Sequence, residues 1–139
     1  MYSAELVSTI DFDPDFTATC VLHPATYLNK ILVGSSQGSL QLWNIRTQNC
    51  IHRFSASTLQ SATLSSTSSS PVTALIQSPA IDVVGVGFAS GEIAIYDIRA
   101  DERLLRIFMD GGAIRFLGFR SGNYFRISPS SRLNTILSR

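Results

Sequence analysis

A pattern that extends over thirteen residues occurs twice in this chain. Gly34–Arg46 reads GSSQGSLQLWNIR, and Gly87–Arg99, 53 positions further along, reads GFASGEIAIYDIR. Two glycines, alternating apolar residues, an aromatic residue, an Asn or Asp and a final Ile-Arg keep their places in both copies. A repeat of fixed period constrains the architecture more than any single motif, because each copy is one supersecondary unit that buries its apolar face by stacking on the next.

The sequence around each copy predicts four short β-strands. Apolar runs bounded by Gly, Pro, Asn and Ser predict strands over residues 17–22, 30–34, 40–45 and 50–54, and again over 72–77, 81–87, 92–98 and 104–108. A Gly stands in the tight turn between the second and third strands, where it can adopt positive φ. Four such strands in about 40 residues, with an aromatic residue before Asn or Asp, are typical of one WD-type propeller blade. Eight residues carry this blade signature: Gly34, Gly38, Trp43, Asn44, Gly87, Gly91, Tyr96 and Asp97.

The predicted fold is all-β, an incomplete WD-type β-propeller with about two four-stranded antiparallel blades and the start of a third. We divide the chain into a strand remnant (Leu6–Ile10) and turn over 1–16, a first blade (17–54), a Ser/Thr-rich flexible insert (55–70), a second blade (71–108), the start of a third (109–120) and an off-pattern tail (121–139). Propellers close with about four to eight blades. We therefore expect open faces with exposed apolar strands such as Val83–Val86, and poor solubility of the isolated chain, which a monodisperse, cooperatively melting monomer would contradict.

Two segments depart from the blade composition. Residues 55–70 contain eight Ser and three Thr, too little apolar surface to become ordered by burial. Residues 113–139 hold five Arg and no acid, whereas residues 1–112 hold six basic and ten acidic side chains. The strand and Gly turn due after residue 121 are not recognisable, so we interpret 121–139 as the altered end of a truncated product. The alternative is a basic tail that binds RNA by counterion release.

The aromatic residues of the signature are expected in the core. Trp43 projects to the opposite strand face from Leu42 and is expected between blades rather than stacked on a ligand. Tyr96 occupies the matching place in the second copy, where its hydroxyl can reach a partner or water. Asn44 and Asp97 end their strands and are expected to hydrogen-bond local backbone.

Four strings together resemble one WD-repeat family in particular: His23–Lys30 (HPATYLNK), Gly34–Asn44, Ser78–Val84 (SPAIDVV) and Ala89–Ile93 (ASGEI). Over roughly residues 12–120 the chain is similar to the first propeller of the tandem-propeller subunit of the small-subunit processome. The resemblance implies a non-catalytic scaffold that acts with a small nucleolar ribonucleoprotein in small-subunit rRNA processing and ribosome biogenesis. It also implies a nucleolar location in the nucleus and protein subunits of a pre-ribosomal complex as partners, with any RNA contact indirect.

The chain departs from the usual WD pattern at two turn positions. Many WD repeats carry an Asp before the turn Gly and a Gly-His dipeptide, which join a buried polar network. Here Gln37 and Ser90 occupy the turn positions, and the sequence contains no Gly-His. We therefore expect divergent blades that are held together by apolar packing.

The sequence offers no recognisable catalytic, cofactor-binding or metal-binding motif. His23 and His52 are the only histidines, and neither has metal-ligand spacing to Cys, Asp or Glu. Cys20 and Cys50 are expected as reduced thiols. We find no Gly-x-Ser-x-Gly elbow, no signal peptide and no apolar run long enough to span a membrane. We expect no enzyme, no cofactor, no small-molecule substrate and no membrane partner.

The candidate partner-binding residues lie in two loops: His23, Tyr27, Asn29, Lys30, Asp101 and Arg103. In the leading hypothesis, rigid blades present these loop edges to partner proteins. The alternative is a short-chain propeller module that oligomerises to bind a ligand or peptide. A discrete dimer or trimer in size-exclusion chromatography would favour that alternative.

Overall fold

Antiparallel meanders follow one another along the chain. The computed structural model describes residues 4–60, 69–120, 124–129 and 135–138. The first sheet, blade 1, runs in the order β1 to β4, and the second, blade 2, in the order β5 to β8. Their strands are β1 (Ala18–Leu22), β2 (Lys30–Ser35), β3 (Leu40–Asn44), β4 (Asn49–Phe54), β5 (Val72–Gln77), β6 (Val83–Phe88), β7 (Glu92–Asp97) and β8 (Glu102–Phe108).

A third antiparallel sheet corrects the interpretation of the tail. It has the order β11-β10-β9, with strands β9 (Ile114–Arg120), β10 (Tyr124–Pro129) and β11 (Thr135–Ser138). In its register Phe125 lies opposite Phe119 on one side and Leu137 on the other. The expectation that the blade pattern stops at residue 121 is therefore wrong over β10 and β11. We did not predict these strands because the segment lacks the Gly turn of the two copies. Antiparallel pairing of β10 with β9 depends on backbone hydrogen bonds, which many sequences can form.

The largest apolar cluster lies between blades 1 and 2. Phe54 at the end of β4 meets Tyr96 of β7 edge to face, with ring centroids 5.7 Å apart. The expectation of an exposed strand at Val83–Val86 is wrong, because Val84 and Val86 are fully buried in this cluster. The third sheet covers the other face of blade 2 through a second cluster that contains Ile114. Both faces of β6 are therefore covered.

Trp43 is buried in the core, as expected, and the segment that packs on it is the N-terminal one. Trp43 packs with Phe16 and Val33 on the face of blade 1 that points away from blade 2, where Phe12 meets it edge to face at 5.3 Å. Trp43 therefore faces the unit that precedes blade 1, just as Tyr96, 53 positions later, faces the preceding blade 1 from blade 2. The N-terminal segment covers the Trp43 face.

The N-terminal segment does not form the β-strand that was expected over Leu6–Ile10. Leu6–Ile10 has no strand assignment, and Leu6 and Val7 are exposed. A β-strand needs a neighbour to accept its backbone hydrogen bonds, and the described residues place no strand beside this segment. Ile10 nevertheless packs on the Trp43 cluster.

The Ser/Thr-rich insert contains an ordered beginning. A short helix, α1, spans Ala56–Leu59, and Leu59 is fully buried in the cluster between the blades. Gln60 then donates to the carbonyls of Gly38 at 3.1 Å and Ser70 at 2.9 Å, and accepts from the Ser70 amide at 2.8 Å. The expectation of a flexible insert is therefore wrong for residues 56–60, because the Leu59 side chain packs in the apolar cluster between the blades. Residues 61–68 lie outside the described residues.

Gly34 and Gly87 allow neighbouring blades to approach closely. A Cβ atom on Gly34 would lie 2.7 Å from Cγ1 of Val72 in the next sheet. A Cβ atom on Gly87 would lie 2.6 Å from Cγ2 of Ile114, again in the next sheet. Both distances are shorter than carbon atoms can adopt without displacement, so the repeated glycine sets the spacing between successive sheets.

Candidate protein-interaction surface

Alternate strand connections of both blades meet at one end of the sheets. In an antiparallel meander every second connection returns to the same end. We call the resulting surface the loop surface, and it consists of residues 23–29, 45–48, 78–82 and 98–101. Four of the six predicted partner-binding residues, His23, Tyr27, Asn29 and Lys30, lie on or beside its first loop.

Backbone hydrogen bonds hold the loops of the loop surface together within each blade. The Ile45 amide donates to the Asn29 carbonyl at 2.8 Å, and the Ile98 amide donates to the Asp82 carbonyl at 2.8 Å. These two bonds are related by the repeat of 53 positions. Each joins the first loop of its blade to the turn that follows the third strand.

Two further contacts join the loop surface across the blades. The Ala25 amide donates to Oε1 of Gln77 at 3.1 Å. The Tyr27 hydroxyl donates a short hydrogen bond to Oδ1 of Asp82. Burial, followed by this hydrogen bond to the carboxylate, raises the pKa of Tyr27 to about 12, so the phenol remains a donor at neutral pH. The Lys30 ammonium lies 5.2 Å from the Tyr27 ring centroid.

Asn44 and Asp97 hold the turns that border the loop surface. The Asn44 side-chain oxygen accepts the amides of Arg46 at 2.9 Å and Thr47 at 3.1 Å. Asp97 accepts the amides of Arg99 and Ala100, both at 2.9 Å. This Asx-type bonding fixes the turn, and it explains why the carboxylate or amide follows the aromatic residue of the repeat.

Asp101 lies on the loop surface with its side chain 38% exposed, and its carboxylate also bonds across the blade interface. Its carboxylate accepts a short hydrogen bond from the Tyr96 hydroxyl and lies 2.8 Å from Nε2 of His52 in blade 1. Partial burial alone would raise the pKa of Asp101, but the hydrogen bonds from Tyr96 and His52 outweigh it and lower that pKa. Burial and the same bond raise the pKa of Tyr96 to about 12. Asp101 therefore connects β4 of one blade to β7 of the next.

The Asp101 contact has a counterpart one repeat earlier. Gln48 precedes Asp101 by 53 positions, and both residues have positive φ, 58° and 55°. Nε2 of Gln48 donates to Oγ of Ser8 at 2.7 Å. Ser8 of the N-terminal segment thus contacts blade 1 at the position where His52 of β4 contacts blade 2.

We expect Asp101→Asn to lower the free energy of unfolding at neutral pH, because the amide loses the charge that Tyr96 and His52 stabilise. Asn tolerates the positive φ of this position, so the backbone stays unstrained. A carboxyl whose folded pKa is lowered stabilises the protein above its unfolded pKa of about 4, and this stabilisation is lost as the pH falls through the folded value. The difference between the two proteins should therefore shrink below about pH 4.

Urea unfolding at a series of pH values measures this difference. Asp110→Asn, at an exposed position between β8 and β9, is the matched control and should behave like the unsubstituted chain. If Asp101→Asn and the unsubstituted chain differ in free energy of unfolding by the same amount at every pH, the negative charge of Asp101 does not contribute to its bonds with Tyr96 and His52.

Arg103 faces inward. Its guanidinium lies 4.0 Å from Oε1 of Glu92 and 3.5 Å from the Leu59 carbonyl. Glu92 is buried and also pairs with Nε of Arg106 at 3.1 Å. Asp101 therefore shares the loop surface with the four predicted residues of the first loop, whereas Arg103 of β8 is directed toward Glu92 and the Leu59 carbonyl.

The unusual turn residues have local partners. Oε1 of Gln37 accepts the Thr17 amide at 3.0 Å, and the Ser90 amide donates to Oγ of Ser70 at 2.8 Å. The buried indole of Trp43 donates to Gln41 at 2.7 Å. Within the described residues every buried side-chain N or O atom has a hydrogen-bond partner. The Asp of the usual WD turn is replaced here by other polar contacts.

The described residues contain no group of three or more His, Cys, Asp and Glu side chains that could hold a metal ion. Cys20 and Cys50 are free thiols, and burial raises the pKa of each. The helix in this part of the chain is too short to cross a membrane.

The blades and their loops define a WD-type β-propeller fold. Solved WD40 structures share it at low sequence identity: the WD40 repeats of RRP9 (TM-score 0.72, 17% identity) and U3-55K (TM-score 0.70, 16% identity), each matching 90% of this chain. The match covers 36% of the RRP9 chain and 37% of the U3-55K chain. The chain belongs to the WDR36/Utp21 family, because the model described as the WDR36/Utp21 first beta-propeller matches residues 1–136. This confirms the family resemblance and extends it beyond residue 120.

Two curated relatives are similar over most of the chain. Human WD repeat-containing protein 36 is 39% identical over 125 residues, which are 89% of this chain and 13% of that protein. The U3 small nucleolar RNA-associated protein 21 homolog of Schizosaccharomyces pombe is 36% identical over 107 residues, 77% of this chain and 11% of that protein. The chain thus spans about one eighth of the length of these relatives.

Proposed function

We propose that this chain is part of a non-catalytic WD-repeat scaffold that binds other protein subunits during small-subunit rRNA processing in the nucleolus. The match to the WDR36/Utp21 first propeller over residues 1–136 carries the proposal. The name of the S. pombe relative, 36% identical here, states an association with U3 small nucleolar RNA. We propose that this chain shares that association and that contacts with protein subunits mediate it.

The loop surface supports a scaffold role on physical grounds. Backbone hydrogen bonds at 2.8 Å join its loops, and Tyr27 and Asp82 connect the two blades. A surface that is ordered before binding loses little conformational entropy when a partner docks. Rigid, preorganised loops on a β-scaffold are a common way to present binding residues.

Co-purification tests the proposal directly. The intact protein, carrying an affinity tag, is purified from the cells that make it, and U3 small nucleolar RNA is quantified against an unrelated nuclear RNA. We expect U3 RNA to be enriched, and the tagged protein to be located in the nucleolus. Depletion of the protein should cause precursors of the small-subunit rRNA to accumulate.

Two controls accompany the co-purification experiment. The tag alone should recover neither RNA. Mild ribonuclease treatment should leave the co-purifying protein subunits in place, because the proposal assigns the contacts to protein. A protein that lies outside the nucleolus and leaves rRNA precursors unchanged on depletion would overturn the proposal.

A further inference from the structure

The connection between β8 and β9 contains the dipeptide Asp110-Gly111. Asp110 is exposed, and its carboxylate has neither a hydrogen bond nor an ion pair to any of the described residues. In the whole sequence it is the one Asp or Asn that a glycine follows. Glycine has no Cβ atom, so its amide nitrogen is less hindered than that of any other residue. Asp110 therefore combines a carboxyl group that is free to turn with an unhindered backbone amide beside it.

The aspartates of blade 2 differ from Asp110 in both respects. Asp82, Asp97 and Asp101 each accept at least one hydrogen bond, which restricts the carboxylate. The residues that follow them are Val, Ile and Glu, each with a side chain that hinders the amide nitrogen. Asp13, in the N-terminal segment, precedes a proline, whose nitrogen carries no hydrogen. Neither the side chain nor the following amide of these residues is as free as at Asp110.

The backbone around Asp110 lies outside the strand ladders. The pairing of β8 ends at Phe108, and the pairing of β9 begins at Ile114. The Gly111 amide donates to the Met109 carbonyl at 3.0 Å, a bond of the γ-turn type within its own turn. A second glycine follows, and its φ of 82° shows that the chain uses the conformational freedom of glycine here. The turn can therefore rearrange without the loss of a strand pairing.

We propose that Asp110-Gly111 is a modification site, at which isoaspartate forms and then accepts a methyl group from an S-adenosylmethionine-dependent carboxyl methyltransferase. The Gly111 nitrogen bonds to Cγ of Asp110, the bond from Cγ to its hydroxyl breaks, and the hydroxyl leaves with the amide proton as water. Water then adds to the main-chain carbonyl carbon of this succinimide, and the bond from that carbon to the Gly111 nitrogen breaks. The main chain now runs through the former side chain, and the freed α-carboxylate takes the methyl group, with S-adenosylhomocysteine as the other product.

The isomerised turn changes the junction between blade 2 and the third sheet. The Met109 amide donates to the Gly91 carbonyl at 2.9 Å, and the Met109 carbonyl oxygen leaves no room for a Cβ atom on Gly91. Isoaspartate adds one methylene group to the main chain next to Met109, so this close fit is lost. We expect the Met109 amide to exchange its hydrogen faster in the isomerised protein than in freshly purified protein.

Ageing of the intact protein tests the site. The purified protein is incubated at neutral pH below its melting temperature, and samples are taken at intervals. Isoaspartate is measured as methyl groups accepted from radiolabelled S-adenosylmethionine in the presence of a purified isoaspartyl methyltransferase. Mass spectrometry with electron-transfer fragmentation, which distinguishes isoaspartate from aspartate, locates the modified residue. We expect methyl acceptance to rise with time and the largest isoaspartate fraction to lie at Asp110.

Three variants separate this site from other sources of isoaspartate. Asp110→Glu should lose the time-dependent signal, because glutamate would have to close a larger ring. Gly111→Val should also lose it, because a β-branched side chain then hinders the reacting nitrogen. Asp15→Glu changes another exposed aspartate and should leave the signal unchanged. The circular dichroism spectrum and urea midpoint of each variant are compared with the unsubstituted protein, and only folded variants are scored.

A synthetic peptide of residues 106–115 serves as the unfolded reference. If the peptide forms isoaspartate while the intact protein accumulates none at Asp110, the fold prevents the reaction and the proposal is wrong. It is equally wrong if Asp110→Glu accepts as many methyl groups as the unsubstituted protein, because the signal then comes from another residue. Neither result bears on the scaffold function, which nucleolar location and rRNA processing test.

Discussion

Truncation of Phe54 to alanine is expected to lower the free energy of unfolding by about 3–5 kcal/mol, a large share of the roughly 5–15 kcal/mol that stabilises a typical domain. Phe54 is 1% exposed and meets the Tyr96 ring at 5.7 Å and the His52 ring at 4.6 Å. The substitution therefore leaves a cavity between the two blades, where Leu40 and Leu59 also pack. Urea unfolding followed by tryptophan fluorescence and by circular dichroism measures the loss.

Phe108 provides the matched control. It ends β8 as Phe54 ends β4, but it is 60% exposed. Phe108→Ala should change the free energy of unfolding by no more than about 0.5 kcal/mol, as is usual for surface substitutions. Equal effects at the two positions would show that the blades do not pack through the β4 side of blade 1.

Gly34→Ala is expected to lower the free energy of unfolding by about 1–3 kcal/mol, through overpacking. The added Cβ would lie 2.7 Å from Cγ1 of Val72 and 2.8 Å from Sγ of Cys20. Val72 is fully buried and cannot move aside without displacing its neighbours. The effect opposes the gain of about 0.5–1 kcal/mol that alanine usually gives over glycine inside a strand, so a destabilising sign is diagnostic of the close approach between sheets.

A double-mutant cycle separates this clash from a general loss of strand stability. Val72→Ala removes the nearest atom, so Gly34→Ala should cost less in the Val72→Ala background than in the unsubstituted chain. The difference between the two costs is the coupling energy of the pair. A coupling energy near zero, or stabilisation by Gly34→Ala alone, would contradict the role of this glycine in setting the spacing of the blades.

The repeat made most of the blade architecture predictable. The repeat predicts four short strands per copy, because few other arrangements bury two apolar faces per strand. Its features are a period of 53 residues, a Gly turn and an aromatic residue before Asn44 or Asp97. Local chemistry also predicted that Asn44 and Asp97 would bond to turn amides. These features depend on residues that lie close together in the sequence.

The features that sequence reasoning missed depend on distant neighbours. Leu59 forms part of the core because a site between the blades accepts it, although its own segment is rich in Ser and Thr. Phe12 and Phe16 cover Trp43, although the N-terminal segment carries none of the blade signature. His52 of the preceding blade contacts Asp101, a bond between blades that the local sequence does not indicate. Each outcome is decided by packing between units, which a local pattern does not record.

The loop surface was predicted only in part for the same reason. His23, Tyr27, Asn29 and Lys30 stood out in one distinctive string, but the loop 78–82 was noted only for its resemblance and not placed beside them. The signal that could have placed this loop is the repeat itself, since residues 25–29 and 78–82 are 53 positions apart. Comparing loop tips between copies, as well as strands, would have paired them.

The two equivalent contacts of Gln48 with Ser8 and of Asp101 with His52 give the coupling between units a polarity. In each case the turn after the third strand of a blade contacts the segment on its N-terminal side. The first strand of each blade, β1 or β5, by contrast contacts the sheet on the C-terminal side of that blade. Thr19 donates to the Val72 carbonyl, and Thr73 donates to the Ile114 carbonyl. A chain with this polarity can add its sheets in order as it is synthesised, because each completed blade already presents the hydroxyl donor for a carbonyl of the next sheet.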